Sequence, residues 1–348
     1  MERNWSLIPE KAVEPDFNNL LAILLGKVPS RPTLFEFFLN EGLYQRLIPG
    51  PEPLDQTEWY RRSIHSYCML GYDCTTIMIP GFRFTEKVVR QKLSTVSLNE
   101  GTVIHNRREF DEFEWPDPDG ADYDILDSLR SELPHGMKLI LFSPDGILEN
   151  VINLMGYEGL CLKIYEDRSL VEDVFEKVGS LLVRYYENAS SSESIGACIA
   201  NDDWGFQSST LLAPEDMRHL VFPWHKKIVE AAHSNGKPAI LHSCGYFEDI
   251  LDDIVEEMGF DGRHSYEDKI FPVEEAYEFF HDRIAIIGGI DVDFICRESP
   301  EKVYQRSKSM LERTSSRGGY AHGTGNSVPE YVPDSGYFAL ISAALDMR

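Results

Sequence analysis

His242 and Cys244, two residues apart in His242-Ser243-Cys244-Gly245-Tyr246, are the pair best suited to chemistry in this chain. An apolar run, Pro238-Ala239-Ile240-Leu241, precedes them, and an acidic amphipathic stretch from Phe247 to Met258 follows. That is the layout of a strand end opening onto a helix. Side chains alternate along a strand, so residues i and i+2 point to one side. An imidazole nitrogen and a thiolate sulfur are donors that zinc prefers. The competing assignment is a buried small Cys beside a hydrogen-bonded His.

The surrounding elements must place that pair. Helical patterning covers residues 14 to 26, Glu41 to Leu47 and Glu58 to Met69, followed by a strand from Cys74 to Ile79. Residues 100 to 118 read as a hairpin, because apolar and polar residues alternate from Glu109 to Trp115 and the Pro116-Asp117-Pro118 cluster stops them. From residue 121 strands and helices alternate; with the earlier strand near 76, the strands are centred near 76, 140, 197, 240, 263, 286 and 320. Helices of 10 to 20 residues between strands imply parallel pairing. Polar or Gly-rich residues follow almost every strand from 195 onward, which favours a (β/α)8 barrel over a doubly wound sheet with one switch point. Seven strands are one short of a closed barrel. The expectation is a single α/β barrel domain over 1–348, with an N-terminal helical extension (1–70), the barrel itself (71–348) and the hairpin as an insertion.

Composition narrows the function. The chain has 348 residues, 43% hydrophobic, and a formal net charge of −25. Such acidity argues against nucleic acid and anionic membrane surfaces as partners. The longest apolar run, Leu20 to Leu25, is too short to span a bilayer. Six scattered cysteines (Cys68, Cys74, Cys161, Cys198, Cys244, Cys296) and no secretory leader point to a reducing cytoplasm, and the acidity favours solubility while saying little about the substrate, which is expected to be a small molecule. There is no P-loop, no dinucleotide fingerprint and no G-x-S-x-G elbow.

Four segments, Asn201-Asp202-Asp203-Trp204-Gly205, Leu241-His242-Ser243-Cys244-Gly245, Gly288-Gly289-Ile290-Asp291 and Gly323-Thr324-Gly325-Asn326-Ser327-Val328-Pro329, together resemble the uroporphyrinogen decarboxylase superfamily in order and spacing. The resemblance implies a (β/α)8 barrel. It also implies one of two activities: decarboxylation of a porphyrinogen, or zinc-dependent methyl transfer between a corrinoid carried on a partner protein and a small thiol or methylated donor. True decarboxylases grip carboxylates with an Arg-rich N-terminal segment. Here that stretch, Arg31-Pro32-Thr33-Leu34-Phe35-Glu36-Phe37-Phe38, has one Arg and one Glu. The methyltransferase branch carries H-x-C-G, and this chain keeps it. Their third zinc ligand, a Cys about four residues before a Pro in the last loop, falls here on Gly325.

The sequence therefore predicts methyl transfer at a zinc site. His242 and Cys244 are the expected metal ligands. His322 is the expected third, with His264, Glu267 and Asp202 as other candidates. Asp203, Trp204 and Asp291 are expected to shape the catalytic cavity. A corrinoid protein is the expected partner, docking at a mouth rimmed by Phe110, Phe113 and Trp115. The alternatives are a metal-free decarboxylase and an idle barrel that only binds a corrinoid protein.

Overall fold

The computed structural model describes residues 3–10, 14–84, 98–99 and 101–348. Seven parallel strands form one curled sheet in sequence order: β1 (Cys74–Ile77), β2 (Lys138–Leu141), β3 (Ile195–Asn201), β4 (Ala239–His242), β5 (Gly262–His264), β6 (Ala285–Ile287) and β7 (Tyr320–Ala321). All seven lie where the apolar runs predict them. Each strand before β7 leads into helical structure, and the hydrogen-bonding order never skips a neighbour, as in a barrel.

The position between β7 and β1 is filled by residues 33–37. Phe35 N donates to the His322 carbonyl (2.8 Å), and His322 N donates to that of Thr33 (2.7 Å), in a parallel bridge. On the other side, Thr76 Oγ1 donates to the Phe37 carbonyl at 2.9 Å. Part of the expected N-terminal extension thus stands in the barrel wall.

Alternation sorts the strand side chains into two layers. Phe35, Phe37, Cys74, Ile140, Ala197, Ile199, Ile240, Ala285, Ile287 and Ala321 meet inside the barrel. Fully burying each Ile is worth roughly 1.5–3 kcal/mol. The helix Asn18–Leu24 closes the N-terminal end, packing Phe17, Leu20, Ile23 and Leu24 against this layer. Gly196 and Gly262 make room for it: a Cβ would stand 2.6 Å from the Phe17 ring at the first and 2.8 Å from Leu24 at the second. The outward residues join the larger core under the helices.

The expected hairpin is not formed. Residues 107–112 are α-helical, with Asn106 capping the Glu109 amide; residue 100 lies outside the described residues. The alternation in this stretch is short, and the N-cap with a helical first turn overrides it. Phe110 and Phe113 pack on Trp115, and Trp115 on Phe84. The three aromatics serve each other and line none of the cavities described below. Among the described residues, no helix is long and apolar enough to cross a membrane.

Candidate functional site

Above the C-terminal strand ends lies a cavity of about 390 Å³. His242 and Cys244 both line it. Ile240 faces the barrel interior, so His242, two residues on, points the same way and emerges at the mouth. Gly245 (φ +82°) turns the chain after Cys244, and a Cβ there would stand 2.2 Å from the Gly205 carbonyl oxygen. The β3 and β4 loops therefore touch backbone to backbone, and only glycine fits the contact. Underneath, fully buried Arg263 donates to the carbonyls of Ser243 (3.1 Å) and Ser265, with its guanidinium 3.6 Å from the Phe247 ring centroid.

His242 Nδ1 lies 2.7 Å from His264 Nδ1, so one imidazole donates to the other. Burial and the nearby Arg263 charge push His242 down to about 3, and burial together with His242 holds His264 well below the ordinary imidazole range. Both rings are neutral at physiological pH. Burial pushes the Cys244 thiol up to about 11; the Asp203 and Glu267 charges add to this, while hydrogen bonds from Ser265 and Asn326 oppose it. Asn326 Nδ2 is 3.2 Å from Sγ.

Carboxylates dominate the polar lining: Asp145, Glu149, Asp202 and Asp203, against one guanidinium among the described residues, Arg83. Asp202 is committed to structure. Its oxygens accept from the Leu148 and Glu149 amides, both at 2.9 Å, capping the helix Ile147–Met155 in place of Gly146, which has no side chain to do so. His225 Nε2 holds the same carboxylate at 2.9 Å. Glu149 accepts from the Gly146 amide with one oxygen. Burial pushes it up to about 8, and Asp202, Asp145 and Asp203 add repulsion. Asp203 opens onto the cavity and rises to about 6 through burial and then Asp202.

Three expected site residues stand elsewhere. His322 is fully buried outside the barrel, with Nδ1 3.0 Å from the Tyr320 hydroxyl and Nε2 3.2 Å from the Leu340 carbonyl. Its neighbour Ala321 faces the interior, so His322 faces the helices. Trp204 is buried against Phe222 and His225, with ring centroids 5.1 and 4.9 Å away. Asp291 caps the helix Val292–Arg297 through the Phe294 amide and accepts from the Asp268 amide with its other oxygen. It edges a neighbouring depression of about 540 Å³ with Glu267 and Asn326.

Neither His322 nor position 325 supplies a third zinc ligand beside His242 and Cys244. Among the described residues no group of three or more His, Cys, Asp or Glu side chains is placed to hold a metal ion. Gly325 is closed to any side chain, because a Cβ there would stand 2.1 Å from the Tyr266 carbonyl oxygen.

Glu149, Phe37, Phe38 and Phe142 escaped the sequence reading. Glu149 could have been found three residues past Gly146, in the first helical turn after β2, where carboxylates reach a barrel mouth. The aromatics carry no comparable mark.

A parallel α/β barrel with its polar cavity over the strand C-termini is the architecture of an enzyme scaffold. The uroporphyrinogen decarboxylase (URO-D) family model matches residues 92–346, and the chain belongs to that family. A methyltransferase from Methanosarcina mazei superposes with a TM-score of 0.67 at 16% identity, covering 94% of this chain and 97% of that one. At that identity the likeness is one of fold. A Listeria monocytogenes protein assigned as a vitamin-B12-independent methionine synthase reaches a TM-score of 0.49 at 8% identity, over 91% and 98% of the two chains, too distant to bear on function. No curated protein sequence matches this chain.

Proposed function

We propose that this chain is an enzyme that transfers a methyl group from a small methylated donor, working in the cavity of His242, Cys244, Glu149 and Asp203. The observation that carries the reading is the acidic lining of that cavity: four carboxyl groups and one guanidinium among the described residues. A porphyrinogen polyacid needs the reverse, a cluster of bidentate cations. Arg31, in the segment where decarboxylases of the family hold their arginines, is bound instead to Asp73, just ahead of β1 and therefore at the opposite end of the barrel. Glu36 is buried, with Thr324 Oγ1 donating to it at 2.6 Å.

The side chains divide the work. His242 brings a neutral imidazole to the cavity wall, its orientation set by His264. Cys244 stays a thiol at neutral pH. Glu149 carries a proton in the empty cavity and gives it up when the charge beside it changes. The acceptor is a nucleophile brought to the mouth, either a small thiol or the corrinoid of a partner protein that the family resemblance implies. Zinc is also implied by that resemblance, but the donor set here lacks a third ligand and no step is assigned to it.

The test is transfer of a ¹³C-labelled methyl group from small donors to a thiol or to reduced cobalamin, followed by NMR with the purified chain. Methyl transfer is the expected result. Conversion of uroporphyrinogen to coproporphyrinogen, with no methyl transfer, would overturn the reading.

A further inference from the structure

The cavity has an aromatic wall that the reading above leaves without a role. Phe37 and Phe38 stack with centroids 4.0 Å apart, and Phe142 meets them edge-on at 5.3 and 5.2 Å. Phe37 also lies 4.6 Å from the His242 ring, so the wall runs up to the H-x-C pair. Phe38 and Phe142 are only partly covered and present ring surface to the cavity. Met78 completes this side.

Glu149 and Asp203 line the same space. The charges that act on Glu149 come from Asp202, Asp145 and Asp203, and those on Asp203 from Asp202 and Glu267. Every one is acidic. Arg83 is the one described cation in the lining, and its charge also bears on the Tyr60 hydroxyl. The cavity is thus electron-rich on both sides, with aromatic faces along one and carboxylates on the other.

We propose that the methyl donor is a small methylated cation, a quaternary ammonium or sulfonium, held between the phenylalanine wall and the carboxylates of Glu149 and Asp203. This rests on the methyl-transfer reading and names its substrate class. A methylated onium spreads its charge over its methyl groups and is attracted to ring faces. It also relieves the repulsion among the carboxylates. A volume of about 390 Å³ suits a small ligand. The chemistry balances without an oxidant or reductant. The carbon–nitrogen or carbon–sulfur bond breaks with its electron pair left on the heteroatom, which becomes neutral. The methyl carbon bonds to the acceptor's electron pair, and with a thiolate acceptor both products are uncharged.

The same carboxyl groups make cation binding depend on pH. Glu149, which faces Asp145, Asp202 and Asp203 and shares the cavity with Arg83, His242 and Cys244, holds a proton in the empty site up to about pH 8. A bound cation expels that proton, so cation affinity rises between pH 6 and 8.

The experiment is calorimetric titration of the full chain, without acceptor, using choline and its uncharged carbon isostere 3,3-dimethyl-1-butanol. Choline is expected to bind about tenfold or more tightly than the isostere, and Glu149→Gln and Phe142→Leu each to weaken choline by about three- to thirtyfold. Equal binding of the two probes, or tighter binding of the isostere, overturns the proposal. So does methyl transfer from a neutral methyl ether by a chain that fails to bind choline, an outcome that leaves the methyl-transfer reading standing. Choline binding with no methyl transfer to any acceptor overturns that reading, and the donor role with it.

Discussion

His242 and His322 both follow the apolar residues of a barrel strand, and they do opposite things. His242 faces the cavity and shares a proton with His264. His322 faces the helix layer, with both ring nitrogens bonded and no access to the mouth. Parity alone separates them. His242 falls two residues after inward Ile240, and His322 one residue after inward Ala321. Reaching a strand end is therefore not enough to place a residue in the site; it must also fall on the inward register.

The largest expected effect separates the two histidines by activity. His242→Ala should lower methyl transfer by about 100-fold or more while lowering the urea midpoint less than His322→Ala, since it gives up one side-chain hydrogen bond, to His264, and not two. His322→Ala should do the reverse. Loss of two buried hydrogen bonds and a fully packed ring is expected to destabilise by about 2–4 kcal/mol, with turnover of the folded fraction retained. If His322→Ala abolishes activity in folded protein, the comparison breaks. Metal content sharpens it: with His322 outside the barrel and Gly325 closed, elemental analysis is expected to find zinc well below one per chain. Stoichiometric zinc lost in Cys244→Ala would show that the mouth recruits a third ligand by rearranging.

Gly245→Ala probes the contact that aims Cys244. A Cβ against the Gly205 carbonyl, at positive φ, should destabilise by about 1–3 kcal/mol, read as a lowered midpoint, and impair activity beyond the loss of folded protein. An unchanged midpoint would mean the two loops are free to part.

The smallest effect contrasts two raised carboxyls. Burial pushes Glu36 up from 4.5 to about 8. The protonated form is favoured in the fold, so its contribution is full below pH 4.5 and is lost as pH rises through 8. Glu36→Gln should therefore flatten the decline of the melting temperature between pH 6 and 9. Glu149→Gln should flatten it less, because Glu149 opens on the cavity and water screens it. Equal slopes in wild type and Glu36→Gln would remove Glu36 from the account.

The seven strands were legible because each is an apolar run stopped by polar or glycine residues, a pattern local to the chain. The eighth position was not. Residues 33–37 lack the pattern of a strand, and their partner, His322, is 285 or more residues away (322 − 37 = 285). The hairpin failed where a brief alternation met an Asn N-cap. The helix expected from Phe247 to Met258 is present over 248–257, passing without a break from a 3-10 turn, Glu248–Ile250, to a π turn, Asp253–Glu257.

By itself the sequence determined the strand–helix alternation of a barrel and the inward register of His242. Those follow from periodicity, which needs no knowledge of distant neighbours; the single Arg of residues 31–38 speaks against a porphyrinogen only through the family resemblance. Only the tertiary structure decided that Asp202 caps another strand's helix, that Trp204 packs on Phe222 and Asp291 caps the helix that follows it, and that Phe38, Phe142 and Glu149 share a cavity with the H-x-C pair. The reason is physical. Register within one strand is fixed by the two-residue repeat of its own backbone. Which strand ends converge is fixed by curling all eight wall positions around one core, and no short segment carries that information.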